Sequence, residues 1–246
     1  MVYFIGAGPG DVDLITVKGR NILEKADVVI YAGSLVAKEH MGYCKEGVLI
    51  YNSAKMTLEE VIEVMNENKD KLVVRLHTGD PSIYGAIKEQ MDELDKLNIE
   101  YEVVPGVSSF VAAASAIKKE FTLPSVTQTV ILTRVEGRTP VPAKESIESF
   151  AQHQTSMVIF LSVQEIEKVV EKLINGGYPK TTPIAVIYKA TWPDEKVVKG
   201  TLEDIASKVK ENDIKKTALI MVGEFLGTTY NNSKLYDKDF KHEYRK

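Results

Sequence analysis

Short runs of β-branched and apolar residues alternate with helical stretches along the whole chain, and this alternation constrains the fold more than any other feature. Runs 2–5, 28–31, 48–51, 72–76 and 101–104 read as strands. The first four are nearly continuous apolar stretches, which predicts strands covered on both faces. The clearest helix between them is 57–68. There Leu58, Val61, Ile62 and Met65 share one face, and Thr57 with Glu60 has capping-box spacing. Strand and helix in alternation make a mostly parallel α/β sheet.

The second half repeats the pattern with longer irregular pieces. Strands are predicted at 130–133, 157–161, 184–188, 196–199 and 218–222, and helices at 164–175, ended by Gly176 and Gly177, and at 202–210. The last strands follow one another closely, so part of this sheet is expected to be antiparallel. The division is expected near 105–109, with a helix of small residues over 111–116 leading into the second half. This gives two α/β domains, 1–108 with a mostly parallel sheet and 109–230 with a mixed one, followed by a polar tail at 231–246.

A net charge of −4 and a pI near 5.7 argue against a surface built to hold nucleic acid. The single cysteine, Cys44, excludes an internal disulfide and suits a reducing compartment. The four histidines are far apart, and no Cys/His run has zinc-ligand spacing, so no metal is expected. No apolar stretch approaches the roughly 20 residues that span a bilayer. No basic flank precedes a signal-type apolar core either, so a cytoplasmic protein is expected.

Three turns follow strands of the first sheet. Gly6-Ala7-Gly8-Pro9-Gly10 invites a dinucleotide-binding reading, but such a turn runs straight into a helix that receives the pyrophosphate. Here Asp11 stands at the third glycine position and residues 11–14 delay the helix. The acidic residue that would hold a ribose after the second strand is replaced by Tyr31-Ala32-Gly33-Ser34. The second turn, Thr78-Gly79-Asp80-Pro81, places Asp80 at the carboxyl edge of the sheet, where open α/β folds bind ligands; Asp80 as a simple helix cap is the alternative. The third, Pro105-Gly106-Val107-Ser108-Ser109, is another strand–turn–helix junction, where either serine suits an N-cap. Three such turns at consecutive sheet edges are able to line one crevice.

Together these segments resemble the tetrapyrrole (corrin/porphyrin) methylase family over nearly the whole chain. The resemblance rests on Gly6 to Asp11 followed by Asp13-Leu14-Ile15-Thr16-Val17-Lys18, on Gly79-Asp80-Pro81, and on Pro105 to Ser109. Further details, Tyr31 to Val36, Arg75 to Gly85, Thr133 to Pro142 and Lys189 to Glu195, are similar to the branch that methylates carbon 11 of a precorrin, with or without cobalt, in cobalamin biosynthesis. Sister enzymes with another tetrapyrrole or target carbon, and a non-catalytic S-adenosylmethionine-binding module, are the alternatives.

The resemblance implies a class III methyltransferase, a homodimer of two-domain subunits with S-adenosylmethionine in the cleft between the domains. By motif position, Pro9, Thr78, Gly79, Asp80, Ile83, Ser108 and Ser109 are expected to contact it. Phe160 with Leu161, Ala190 with Thr191, and Ala218 are expected to complete the pocket. Methyl transfer from a sulfonium is an in-line displacement that requires alignment at about 3–3.5 Å, not a nucleophilic side chain or a metal. Precorrins carry acetate and propionate groups, for which Arg134 and Arg138 are the leading donors, with Lys189 and His77 weaker candidates. Trp192 suits a loop anchor as well as a ligand contact, and Cys44 a small, partly buried residue rather than a nucleophile.

Overall fold

The computed structural model describes every residue except Ser34, Arg138, Lys238, Asp239, His242 and 244–246. Contacts divide the chain into two units, Met1–Ala112 with Lys189–Asp194, and Ala113–Tyr188 with Glu195–Lys246.

The first unit is a parallel sheet of β1 (Val2–Gly6), β2 (Val28–Tyr31), β3 (Leu49–Asn52), β4 (Val73–His77) and β5 (Tyr101–Val104), in the order β3-β2-β4-β1-β5. Four helices belong to its sequence: α1 (Val17–Leu23), α2 (Leu58–Glu67), α3 (Ile87–Lys96) and the start of α4 (Ser109–Ala116). One core contains Phe4, Ile30, Val61, Met65 and Leu94, and a second contains Ile5, Leu23, Val29, Val74 and Leu76. The alternate residues of each central strand thus fill opposite sides of the sheet. The capping box starts α2 as expected: Thr57 N–H donates to Glu60 at 2.7 Å, and Glu60 N–H donates to the Thr57 hydroxyl at 3.3 Å.

One expectation is corrected here. The third run forms an edge strand, β3, pairing with β2 alone, and Leu49 and Ile50 stay 44% and 45% exposed instead of buried on both faces. Its apolar run resembles the central ones; strand order, which tertiary packing sets, decides its burial.

The second unit has a mixed sheet of β6 (Val130–Arg134), β7 (Ser156–Phe160), β8 (Pro183–Tyr188), β9 (Lys196–Thr201) and β10 (Ala218–Val222), in the order β6-β7-β10-β8-β9. Only β6 and β7 run parallel; the other neighbours are antiparallel, so part of the sheet is antiparallel as expected, with β8 and β9 joined by a short connection. Helices α5 (Ile147–Ala151), α6 (Ile166–Asn175) and α7 (Ile205–Glu211) supply its remaining core, with Ile147, Val169, Leu173 and Ile205 fully buried. At the end of α6, Gly177 N–H reaches Ile174 O at 3.0 Å and Tyr178 N–H reaches Leu173 O at 3.1 Å. This is the pairing of a Schellman stop, with Gly177 at φ +116°. The helix expected from 202 begins at Ile205, because the Asp204 carboxylate accepts from Thr201 N–H at 2.8 Å and holds 202–204 as a turn. Among the described residues, no helix is long and apolar enough to cross a membrane.

Candidate functional site

Strands β4, β1 and β5 are neighbours, so the three glycine turns leave the sheet side by side at its carboxyl edge. They meet backbone to backbone. A Cβ on Gly6 would lie 2.5 Å from Gly79 O and 2.6 Å from Gly106 Cα, and one on Gly106 would lie 2.2 Å from Gly79 O. Only glycine permits that approach. Gly8 and Gly79 pair through two hydrogen bonds, 3.3 Å from Gly8 N–H to Gly79 O and 2.8 Å in return, with Gly8 at φ +82° and Gly79 at φ +61°.

Asp80 ties the second turn to the third. One carboxylate oxygen accepts from Ser82 N–H at 2.9 Å and from the Ser82 hydroxyl, and the other accepts from Gly106 N–H at 2.8 Å. Burial pushes the carboxyl upward, but these hydrogen bonds outweigh it and hold the group below its ordinary value. Asp80 therefore caps its own turn and also bridges to the next strand's loop.

The backbone of the first loop is held from three directions. Ala7 O lies 2.9 Å from His40 Nε2, Gly8 O accepts from Gly79 N–H, and Pro9 O accepts from Trp192 Nε1–H at 2.8 Å. Past it, Asp11 caps a 3-10 turn at Val12–Leu14, and α1 starts only at Val17, capped by Thr16. The helix delay read from residues 11–14 is present, and with it the geometry of a pyrophosphate-binding turn is lost.

The structure brings Pro9, Thr78, Gly79, Asp80, Ile83, Ser108, Ser109, Ala190 and Thr191 into the first unit. Gly79 lies against Ser108 and Ser109, Ile83 N–H bonds to Asp80 O at 3.2 Å, and Thr191 accepts from Asp11 N–H at 3.0 Å. Phe160, Leu161 and Ala218 belong to the second unit. Phe160 pairs with Arg134, Ala218 pairs with Tyr188, and β7 lies antiparallel to β10, so the three share one sheet end. Leu161 there is 73% exposed at φ +53°, an unfavourable state for a large apolar side chain.

The charged candidates divide. Arg134 folds onto its own loop, donating to Thr139 O at 3.1 Å and Pro140 O at 2.9 Å, so part of its fork shapes that loop. Glu136 holds the same segment to α6 through Lys168 and Lys172, each at 3.2 Å. Arg138 lies outside the described residues. Lys189 pairs with Asp194 at 2.6 Å and stands 5.3 Å from the Trp192 ring centre.

His77 is corrected as a cationic candidate. It is buried, and burial with the nearby Arg75 guanidinium lowers its pKa to about 3. Among the described residues, its Nε2 has no hydrogen-bond partner. A histidine depressed in the fold stays neutral while the unfolded chain takes up a proton below about pH 6.5. His77 therefore costs stability progressively as pH falls from there toward its folded value. Its ring resonances are expected to keep their neutral shifts from pH 8 to pH 5 by NMR; a transition within that range would contradict this burial.

Two contacts lie beyond any local pattern in the sequence. His40, buried at 1% exposure, contacts the carbonyls of Ala37 and Ala7 through its two ring nitrogens, the second from 33 residues away. The docking of residues 189–194 on the first unit likewise follows from no local pattern. Cys44 is half-buried, with burial raising its thiol pKa, which suits the small-residue reading.

The profile of the Tetrapyrrole (Corrin/Porphyrin) Methylases matches residues 1–206. The chain is 61% identical to a cobalt-precorrin-4 C(11)-methyltransferase of Methanocaldococcus jannaschii, over 100% of this chain and 96% of that one. The crystal structure of a cobalt precorrin-4 methyltransferase, a cobalamin biosynthetic enzyme, superposes with a TM-score of 0.90 at 48% identity, covering 92% of this chain and 96% of the other. A uroporphyrin-III C-methyl transferase from Thermus thermophilus, complexed with S-adenosylhomocysteine, gives a TM-score of 0.77 at 26% identity, covering 92% and 93%.

Proposed function

The chain belongs to the tetrapyrrole (corrin/porphyrin) methylases, and from that premise we propose that it transfers a methyl group from S-adenosylmethionine to carbon 11 of (cobalt-)precorrin-4 in cobalamin biosynthesis. The observation that carries this reading is the 61% identity to a cobalt-precorrin-4 C(11)-methyltransferase across the full chain.

The residues present suit such a cofactor. The junction of Gly6, Gly79 and Gly106 leaves no room for a side chain, so a ligand there meets backbone. A neutral adenine and an amino-acid end are recognisable by peptide N–H and C=O groups without a signature of charged side chains. When bound, S-adenosylmethionine supplies a methyl group already activated on a sulfonium. The chain's part is then positional. Asp80, kept ionised, fixes the turn of residues 78–82 against the third loop. We assign Pro9, Thr78, Gly79, Asp80, Ile83, Ser108, Ser109, Ala190 and Thr191 to the cofactor, with Phe160, Leu161 and Ala218 from the second unit. Alignment of the attacking carbon at about 3–3.5 Å supplies most of what such a displacement requires.

The acidic side chains of the tetrapyrrole call for cationic donors, and the loop after β6 is assigned to them. Arg134 gives it shape through the carbonyls of Thr139 and Pro140, and Arg138 is assigned to the carboxylates. A two-fold homodimer and a cytoplasmic location complete the reading, the first on family resemblance and the second on the lone cysteine.

The test is anaerobic incubation with methyl-labelled S-adenosylmethionine and a panel of cobalt-loaded and cobalt-free precorrins, with the new methyl located by NMR. Label at carbon 11, only with precorrin-4 or its cobalt form, is expected. Label at another carbon would move the chain to a sister activity, and saturable cofactor binding without transfer to any of them would remove catalysis.

A further inference from the structure

The segment Lys189–Asp194 joins β8 to β9, yet it packs with the first unit, on the loop that follows β1. Two of its residues, Lys189 at φ +46° and Thr191 at φ +72°, hold left-handed conformations. That state is unfavourable for a β-branched residue, and it persists only where the surroundings impose it. Here the strain accompanies specific contacts. The Thr191 hydroxyl accepts from Asp11 N–H at 3.0 Å, and the next residue brings its indole N–H 2.8 Å from Pro9 O. The pyrrole edge of that indole fills the space where Gly10 has no side chain: a Cβ there would lie 2.2 Å from Trp192 Cδ1. The Lys189–Asp194 ion pair draws the ends of the segment together beside the ring.

We propose that Trp192 is a positioning residue for the cofactor loop. Its N–H fixes the Pro9 carbonyl, its ring takes the place of a side chain at Gly10, and the strap of residues 189–194 holds residues 8–11 in the shape that receives S-adenosylmethionine. The proposal rests on the reading of that loop as a cofactor site. Of the three donors to the loop's consecutive carbonyls, Gly79 is a backbone group and His40 is buried in the fold, whereas Trp192 is half-buried and replaceable.

Trp192 is the single tryptophan of the chain, so its emission reports on the strap alone. Wild-type protein titrated with S-adenosylhomocysteine is expected to show a saturable change in that emission and lower quenching by acrylamide. By calorimetry, Trp192→Phe, which keeps a ring and loses the N–H, is expected to bind S-adenosylhomocysteine about threefold to tenfold more weakly, the size of one neutral hydrogen bond. Its KM for S-adenosylmethionine is expected to rise by the same factor with kcat within about twofold and the melting temperature nearly unchanged. Trp192→Ala, which also empties the space over Gly10, is expected to lose more affinity than Trp192→Phe.

Wild-type affinity in Trp192→Phe, or unchanged emission at saturation in the wild type, would overturn the proposal while leaving the cofactor reading intact. Equal losses of affinity and melting temperature in both variants would reduce Trp192 to a general packing residue, which also overturns it. A wild-type protein that does not bind S-adenosylhomocysteine at all would overturn the cofactor reading, and the proposal with it.

Discussion

Gly106→Ala is expected to give a folded protein whose melting temperature is lower by about 5–10 °C and which shows no calorimetric binding of S-adenosylhomocysteine up to millimolar concentration. The added Cβ would stand 2.2 Å from Gly79 O, 2.7 Å from Gly6 Cα and 2.9 Å from Gly6 C. All three are backbone atoms at the ends of strands, so none swings aside as a side-chain tip would. The turns after β1 and β4 must instead separate from the turn after β5. Overpacking of this kind costs about 1–3 kcal/mol, and each kcal/mol moves the melting point of a chain this size by about 2–4 °C. The same separation breaks the Gly106–Asp80 hydrogen bond, so the second turn loses its anchor along with its spacing. Gly42→Ala is the matched control: a Cβ at Gly42 meets nothing within 4 Å, and wild-type binding and melting are expected. If Gly106→Ala bound S-adenosylhomocysteine as tightly as the wild type, the three-loop junction would not be the cofactor's seat.

Periodicity located the strands to within about two residues because β-branched runs bounded by turn residues leave little choice locally. Order within the sheet is a different kind of information. The apolar run at β3 looks like those at β2 and β4, and only its edge position exposes Leu49 and Ile50. Arg75, the single charge inside the run at β4, is buried there. It donates to Gln90 at 3.2 Å and to Ile30 O at 3.3 Å, with burial lowering its pKa to about 10, so it remains charged at neutral pH. Nothing in the run names those partners, because Gln90 arrives from α3.

The candidate site divides on the same line. Turn composition marks Gly6, Gly79, Asp80 and Gly106 in the sequence, but only Gly79, at φ +61°, is a glycine that its own turn's conformation requires; Gly6 and Gly106 are required by the approach of the neighbouring loops. That Asp80 reaches Gly106, that Trp192 reaches Pro9 and that Arg134 bends back to Thr139 and Pro140 are contacts whose distances in sequence run from 5 to 183 residues. Local propensity carries no term for the longer of these, and the shortest depends on how a Pro-containing loop closes.

Asp80→Ala is expected to weaken S-adenosylhomocysteine binding more than a hundredfold. The carboxylate satisfies Ser82 N–H, the Ser82 hydroxyl and Gly106 N–H together. Hydrogen bonds to a charged group contribute about 1.5–3 kcal/mol each, and each 1.4 kcal/mol is tenfold in affinity, so losing two of them from the binding conformation reaches that size. Asp80→Asn separates charge from shape. One amide oxygen still accepts on one side, while the NH2 faces an N–H donor on the other, so a loss of at least tenfold is expected. Ser82→Ala removes only the hydroxyl of an exposed side chain, a donor that water replaces, and is expected to cost little. The pH dependence follows from the direction of the shift. A carboxyl held below its ordinary value contributes fully above about pH 3.8, its unfolded pKa, and the contribution is lost as pH falls through the lower folded value. Cofactor binding by the wild type is therefore expected to lose none of Asp80's contribution between pH 8 and pH 5, and Asp80→Asn to lack the carboxylate-dependent loss in strong acid. Calorimetric titrations of the wild type and the three variants, from pH 8 down into the acid range below the ordinary carboxylate value, decide the matter. Wild-type affinity in Asp80→Ala would mean that the glycine contacts alone fix the turn, leaving Asp80 only a local capping role within its own turn.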